Sequence, residues 1–401
     1  MNLPGTPYRV RIETRLDNPG WMGVVSAILG VVLALVIGGF VLLAAGSKDP
    51  VGTYVEIFKE GFGTPADWAA GSTALFTGGD CPKGLLCFGP LSDTLVKASP
   101  ILLTGLACLV AFRMKLWNIG ADGQMFIGAW AATGVALFVL PPETNRAVML
   151  AVMALAGILG GVVYGAIPGF LKARLNINEI ITTLMLNYVG YLWVEYFVVV
   201  GPWSLGDFES TGRFTKAATW PRLTEFADRI PIFSGLTAHP GIFLGLAAAI
   251  LLAWILYRSR WGYEIRVIGN NPKAARYAGI SLARNIVLVM MLSGGLAGLA
   301  GMNEVAALRE LNGRFNRGLG FTGVIVAWLA RLNPFAAIAV AILFGGLLVG
   351  TKLLQPQGIA AMLQGVILFV VVGTELVFRY RVRLEKAEPA AKAALEANRG
   401  Q

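Results

Sequence analysis

Residues 257–285 read YRSRWGYEIRVIGNNPKAARYAGISLARN and form the longest strongly basic break between apolar segments of the chain. The stretch carries six Lys and Arg residues against a single acid, Glu264. Apolar segments long enough to cross a bilayer recur on both sides of it. We therefore predict an all-α, polytopic membrane helix bundle with about ten transmembrane segments, of which one or two are broken or short.

The composition also indicates a membrane protein. The chain is 56% hydrophobic and 14% charged, whereas soluble domains carry about 25% charged residues. Three cysteines and one histidine form no clustered metal site, so we expect no metal and no cofactor. The net charge of +10 is more typical of cytoplasmic loops than of nucleic-acid binding. No cleavable signal is predicted, because the first apolar run, 23–45, is long enough to remain as an anchor.

The distribution of Lys and Arg predicts the orientation. With the N-terminus inside, the inner segments hold 20 of these residues and the outer segments 11, as the positive-inside rule requires. We therefore expect both termini in the cytoplasm. The predicted layout is a cytoplasmic segment 1–22, a transmembrane domain 23–379 with extracytoplasmic loops 47–92 and 201–239 and a cytoplasmic loop 258–284, and a cytoplasmic tail 380–401.

A short helix is predicted within the basic stretch. Asn271 suits the N-cap, Pro272 the first helical position, and Gly279 a left-handed stop. About two turns of helix are marginal alone in water and need a docking surface. Two interpretations stay open: a coupling element that fits a groove on a soluble partner, or an ordinary positive-inside loop.

Two polar clusters interrupt the apolar pattern. In WNIGADGQ, 117–124, two glycines and Asp122 favour a break or re-entrant turn, which membranes tolerate only against protein or a water-filled cavity. In the second cluster, Thr183, Asn187 and Tyr191 recur every four residues on one helix. Each cluster is either structural, as a capped turn or as hydrogen bonds between helices, or part of a translocation path. Neutral polar and aromatic groups favour a sugar or nucleoside over an ion.

Three further features complete the prediction. The apolar stretch 320–330 is too short to cross alone, so it is either a half-helix or a tilted short span. Cys81 and Cys87 are able to form a disulfide in an oxidising exterior. Glu195 is the only carboxylate expected in mid-span. The sequence contains no GxxxxGK[ST], HExxH or GxSxG motif, so we expect no enzymatic activity.

Four motifs carry a family resemblance: Trp117-Asn-Ile-Gly-Ala-Asp-Gly-Gln124, Asn178-Glu-Ile-Ile-Thr-Thr-Leu-Met-Leu-Asn187, Gly269-Asn-Asn-Pro-Lys-Ala-Ala-Arg-Tyr-Ala-Gly-Ile280, and Gly320-Phe-Thr-Gly323 with Arg331-Leu-Asn-Pro334. Over about residues 20–380 the chain resembles the permease subunits of bacterial ABC importers in the simple-sugar and branched-chain amino acid permease family. It is most similar to the nucleoside branch, which works with a basic-membrane-protein-like binding lipoprotein.

The resemblance implies a multi-pass inner-membrane permease without its own ATPase. Its partners would be a cytoplasmic ABC ATPase, a second permease subunit and an extracytoplasmic substrate-binding protein. The substrate would be a nucleoside or a related purine or sugar compound. The alternatives are a simple-sugar or branched-chain amino acid importer and, from another class, an ion-coupled secondary transporter.

We assign the substrate path to five residues: Asn118, Gln124, Thr183, Asn187 and Tyr191. The resemblance assigns coupling to the ATPase to the basic-loop helix: Asn271, Pro272, Lys273, Ala274, Ala275, Arg276, Tyr277, Ala278 and Gly279. The chain departs from the family pattern at Asp122, where Glu is usual, and at Trp117, where Phe is usual. The segment 68–90, with both outer cysteines, resembles an insertion.

Overall fold

The structure, a computed structural model, describes residues 8–14, 20–79, 81–82, 87–205, 209–313, 315, 318–352, 354 and 358–386, with side chains between residues 29 and 374 of this set. Most of the predicted segment 1–22 and of the tail 380–401 lies outside the described residues. The chain divides into two compact units. The first unit comprises Met1–Pro50 and Ala361–Gln401, and the second comprises Val51–Ala360.

The first unit joins the two ends of the chain. Its elements are strand β1 (Tyr8–Thr14), helix α1 (Gly20–Ala44), most of helix α14 (Ile359–Arg379) and strand β2 (Tyr380–Lys386). The strands pair antiparallel, with Thr14 opposite Tyr380 and Tyr8 opposite Lys386. The helices pack closely, because a Cβ on Gly30 of α1 would lie 3.0 Å from the Thr374 hydroxyl of α14.

The second unit holds the remaining helices. They are α2 (Pro50–Phe62), α3 (Pro65–Thr77), α4 (Gly89–Arg113), α5 (Ala121–Gly134), α6 (Arg146–Leu175), α7 (Glu179–Glu195), α8 (Gly241–Arg258), α9 (Arg260–Asn270), α10 (Pro272–Tyr277), α11 (Leu282–Leu308), α12 (Leu319–Leu329) and α13 (Pro334–Gly350). Two of them, α5 and α7, continue into single π-helical turns, Val135–Val139 and Tyr196–Val200.

The helices confirm an all-α membrane bundle, with one two-stranded ribbon in the first unit. Within the described ranges, six helices are long and apolar enough to cross a bilayer: Gly89–Arg113, Ala121–Val139, Arg146–Leu175, Glu179–Val200, Gly241–Arg258 and Leu282–Leu308. Four apolar helices are shorter: Leu29–Ala44, Leu319–Leu329, Pro334–Gly350 and Ile359–Thr374. The count of about ten membrane segments stays a prediction.

A seam of glycines joins α6 and α11. A Cβ built on Gly161 would lie 2.9 Å from the Gly298 Cα and still closer to the Gly294 carbonyl oxygen. Gly157 and Gly165 approach the same helix one turn away on either side. We call these five residues the glycine seam. Small residues allow two membrane helices to bring their backbones into contact, and here the contact forms the broadest helix–helix packing in the bundle.

One end of the second unit, the loop end, carries residues 209–240. This segment is tied to the helix ends beneath it: the Trp220 amide donates to the Ala306 carbonyl at 3.1 Å, and the Ala238 amide donates to the Ser92 hydroxyl at 2.7 Å. Cys81 and Cys87 form a disulfide at this end. The predicted loop 47–92 also contains α2 and α3, two helices that its mixed polarity did not indicate.

The opposite end, the basic end, carries α9 and α10. The predicted cap is present, because the Asn271 side chain accepts from the amides of Lys273 and Ala274, both at 3.1 Å. Pro272 opens α10, and Gly279 has a φ of +73°. Ala275 is fully buried, whereas the Tyr277 side chain is 94% exposed. The α10 helix therefore has a docked side and a free side.

Candidate functional site

Two helices of the second unit begin inside the bundle. The chain leaves α4 at the basic end and turns back, and α5 begins only at Ala121. The Asn118 amide in this turn donates to the Ser293 hydroxyl at 2.7 Å, in the middle third of α11. The Thr104 hydroxyl, in the middle third of α4, donates to the Leu319 carbonyl at the start of α12 at 3.2 Å. Both helices thus start beside the middle of a neighbouring helix, and the predicted break at 117–124 and the short helix at 320–330 are both present.

Asn118 and Gln124 close the turn before α5. The Asn118 Nδ2 donates to the Gln124 Oε1 at 2.9 Å, and the Gln124 Nε2 donates back to the Asn118 Oδ1 at 3.2 Å. The Gly120 amide also donates to the Asn118 Oδ1, at 3.1 Å. Both side chains are buried. Their hydrogen bonds replace those that a continuous helix would have supplied.

Asn187 ties α7 to the same turn. Its Oδ1 accepts from the Gly123 amide at 2.7 Å, and its Nδ2 donates to the Ile119 carbonyl at 3.0 Å. A side chain at Gly123 would collide with the Asn187 backbone, so this glycine is needed for the close approach. Asn187 therefore satisfies one donor and one acceptor that the break leaves without helical partners.

Asp122 is the functional candidate that the sequence assignment of path residues omitted. Its carboxylate accepts from the amides of Gly318 at 2.9 Å and Gly320 at 2.5 Å, and from the Tyr191 hydroxyl. It lies in the first turn of α5 and also caps α12. Helix N-termini carry partial positive charge, so a buried carboxylate between two of them is electrostatically favourable. In the sequence, the signal for Asp122 was an acidic residue at the start of a helix rich in glycine.

We call Asn118, Asp122, Gln124, Asn187, Tyr191 and Ser293 the polar junction. Four of the five predicted path residues meet in it. The fifth, Thr183, is buried one turn away beside Gly120, and its hydroxyl donates to the Glu179 carbonyl of its own helix at 2.7 Å. The nine predicted coupling residues lie at the basic end and the disulfide at the loop end, apart from this cluster.

The assignment of Glu195 as the only mid-span carboxylate stays a prediction. Asp122 and Glu304 are both buried within the bundle. Glu304 lies in α11, which continues to Leu308, and the Lys97 ammonium contacts the Glu304 carboxylate at 2.9 Å. A partner on α4 thus allows the helix to retain a charge. Within the part of the chain that is described, no three His, Cys, Asp or Glu residues form a metal-binding group.

A polytopic bundle in which two helices begin inside the bundle at a polar junction has the architecture of a membrane transport protein. The family model described as branched-chain amino acid transport system, permease component, matches residues 91–372. The chain belongs to this permease family, and the resemblance predicted from the four motifs is confirmed.

Several relatives are known by function. The chain is 30% identical to the glucose ABC transporter permease protein TsgB13 of Haloferax volcanii, over 93% of each chain. It is 35% identical to the guanosine ABC transporter permease protein NupP of Bacillus subtilis, over 70% of this chain and 78% of that one. It is 28% identical to the nucleoside ABC transporter permease protein NupB of Lactococcus lactis, over 84% and 86%. No solved structure matches the chain.

Proposed function

We propose that the chain is the permease subunit of an ABC importer and forms the translocation path for a nucleoside or a related purine or sugar compound. The relatives that act on guanosine, nucleosides and glucose support this substrate range. The polar junction is the observation that carries the proposal. Apart from Asp122, its side chains are uncharged, and the Asp122 carboxylate is occupied by three hydrogen bonds. Such a lining suits a neutral solute better than an ion.

The energy would come from other subunits. The sequence has no Walker motif, so a cytoplasmic ABC ATPase would hydrolyse ATP, alongside a second permease and an extracytoplasmic binding protein. The proposed location is the inner membrane, with both termini, the 258–284 loop and the 380–401 tail in the cytoplasm. The loop end, with 47–92 and 201–239, would then face the binding protein.

The α10 helix is the proposed coupling element. Ala275 anchors it to the bundle, and the exposed Tyr277 is available to a partner surface. We propose that closure of the ATPases moves α10, and that this movement opens the path through the bundle at the polar junction. In the structure the junction groups are hydrogen-bonded to one another, and opening of the path there would require these bonds to break.

The path assignment is tested by Asn187→Leu in cells that depend on this importer for nucleoside uptake. Loss of the two Asn187 hydrogen bonds should lower kcat/KM for uptake about tenfold or more. Met185→Leu, at an exposed position of the same helix, is the matched control. Membrane levels of both variants are compared first. Unchanged uptake kinetics in Asn187→Leu would refute the assignment.

The coupling assignment is tested by Tyr277→Ala, with Ala275→Glu as the stronger variant. Transport-linked ATP hydrolysis should fall in both, because one removes a partner contact and the other undocks the helix. Tyr263→Ala, at a 58% exposed position on α9, is the control. Intact transport-linked ATP hydrolysis in both variants would contradict the assignment of α10 as the coupling element.

The class of transporter is tested separately by uptake with the ion gradient collapsed and ATP present. An ABC importer should retain uptake, whereas an ion-coupled carrier should lose it. A second candidate substrate, glucose, is favoured by the similarity to TsgB13 along almost the whole chain.

A further inference from the structure

Aromatic rings line the contact between α5 and α7 from the loop end to mid-depth. They form an outer group of Trp130, Phe138, Trp193, Phe197 and Trp203 and an inner group of Phe126, Tyr188, Tyr191 and Phe315. Phe126, Trp130 and Phe138 are spaced by four and eight residues on α5 and its π-helical turn, a distance of about 18 Å. We call the two groups together the aromatic track.

The outer group is built by stacking of ring on ring. Trp130 and Trp203 are nearly parallel, with an interplanar angle of 12° and centroids 5.6 Å apart. Phe197 contacts both of them, at 5.3 and 5.0 Å, and Trp193 contacts Trp130 at 5.5 Å. The Trp130 indole N–H is buried and has no acceptor within the described ranges. The group therefore contains a hydrogen-bond donor that packing alone leaves unused.

The inner group leads from this stack to the polar junction. Phe126 lies one turn from Trp130, and its ring contacts Tyr191 at 4.7 Å and Phe315 at 4.5 Å. Tyr191 donates to Asp122, so the last ring of the track is also a member of the junction. Tyr188, 62% exposed, contacts Tyr191 at 6.1 Å and presents a free face beside it.

This arrangement differs from an interfacial belt. Belt aromatics lie at the level of the lipid headgroups, whereas these rings follow the depth of the bundle and end at mid-depth. They also contact rings on neighbouring elements rather than standing singly. The exposed rings of the track, Tyr188 and Trp193, lie on α7, the helix that carries Asn187 and Tyr191.

Flat π-faces bind nucleobases by stacking, and they do so with every base. A hexose carries several hydroxyl groups, and each of them needs a polar partner when it leaves water. The outer group offers rings almost exclusively. We propose that the aromatic track is the specificity-determining surface of the path and takes the base of a nucleoside, in preference to a free sugar. The inference rests on the proposed importer function and narrows its substrate class.

The test uses Trp203, which contacts three other rings of the outer group. Trp203→Leu removes the stacking face, and Trp203→Phe keeps a smaller one. Trp254→Leu is the matched control, because Trp254 is 60% exposed on α8, a helix that contributes no ring to the aromatic track as defined above. Uptake of guanosine and of glucose is measured for each variant in cells lacking other routes.

The expected result is a KM for guanosine raised about tenfold in Trp203→Leu and by less than about threefold in Trp203→Phe. Trp254→Leu should match the unmodified chain. An independent readout is quenching of tryptophan fluorescence by guanosine in purified full-length protein. Quenching should fall in Trp203→Leu and persist in Trp254→Leu.

The proposal is overturned if Trp203→Leu and Trp254→Leu behave alike in both assays, or if glucose quenches and guanosine does not. In those cases ATP-dependent uptake by the unmodified chain would leave the importer function standing. Conversely, guanosine quenching that depends on Trp203, without ATP-dependent uptake, would support base binding by the aromatic track and overturn the importer function.

Discussion

The glycine seam and the polar junction hold neighbouring parts of α11 by opposite means. At the seam, Gly294 and Gly298 bring their backbone against α6 without any side chain between. At the junction, Ser293, the residue before Gly294, uses its hydroxyl to accept from Asn118 and to donate to the Ala107 carbonyl at 2.5 Å. The face of α11 with Gly294 and Gly298 leaves no room for side chains, whereas the adjacent face with Ser293 is held by hydrogen bonds.

The difference shows where this bundle is able to change shape. Backbones in direct contact tolerate almost no displacement, because close packing leaves no flexible group to absorb it. A hydrogen-bonded junction has discrete alternatives, since each amide or hydroxyl is able to exchange a protein partner for water or solute. We therefore expect the seam to behave as a fixed frame and the junction as the part that opens.

The largest expected effect is at the seam. Gly294→Ala places a methyl group against the Gly161 carbonyl oxygen, where only backbone atoms could move. Overpacking usually costs about 1–3 kcal/mol, and here we expect the upper end or more. The measurement is the fraction of monodisperse protein after heating in detergent. Gly365→Ala, where no atom lies within 4 Å of the added Cβ, is the control and should match the unmodified chain.

The second effect is at the centre of the junction. Asp122→Asn removes the charge that three donors share, and hydrogen bonds to charged groups contribute about 1.5–3 kcal/mol. We expect lower thermal stability and lower uptake, with Asp122→Glu retaining part of both. Asp228→Asn, at an exposed position, is the control. Full stability of Asp122→Asn would show that the carboxylate does not hold the start of α12.

The third test compares two adjacent residues, Ser293 of the polar junction and Gly294 of the glycine seam. Ser293→Ala leaves the Ala107 carbonyl and the Asn118 amide each one partner short, for a cost of about 1–2 kcal/mol. It adds no volume, so it should be milder than Gly294→Ala in the same thermal assay. A reversed order of the two variants would break the distinction between seam and junction.

The smallest effect is expected at Thr183. Its hydroxyl donates to two carbonyls of its own helix, those of Glu179 and Ile180, and such bonds add little to stability. Thr183→Val should therefore change the melting temperature by about a degree, equivalent to a few tenths of a kcal/mol. If uptake nevertheless fell about tenfold, Thr183 would contact the solute in another state of the path.

Local chemistry made several features predictable from the sequence. The break before α5, the short α12 and the Asn271 cap each depend on residues within a few positions of one another. Gly318, at the start of α12, has a φ of +102°, which favours glycine. The stripe of Thr183, Asn187 and Tyr191 predicted a polar helix face, although the partners of that face were unknown.

The rest depended on distant parts of the chain. Asp122 caps α12 through Gly318 and Gly320, almost 200 residues away, and no local pattern indicates that meeting. The helix α2 is mixed in polarity, and it packs through Gly61 against Gly346 of α13. The buried Glu304 in α11 is paired with Lys97 of α4, which is distant in the sequence. In each case tertiary contacts decide what local propensity leaves open.

The pairing of β1 with β2 has a consequence for how the protein is made. Thr14 is synthesised about 370 residues before the strand it pairs with, Tyr380–Lys386. At about 5–20 residues per second, the ribosome needs on the order of half a minute to reach that strand. The first unit is therefore completed last, after every element of the second unit has been synthesised. A nascent chain halted before residue 380 would leave the edge of β1 without its partner strand.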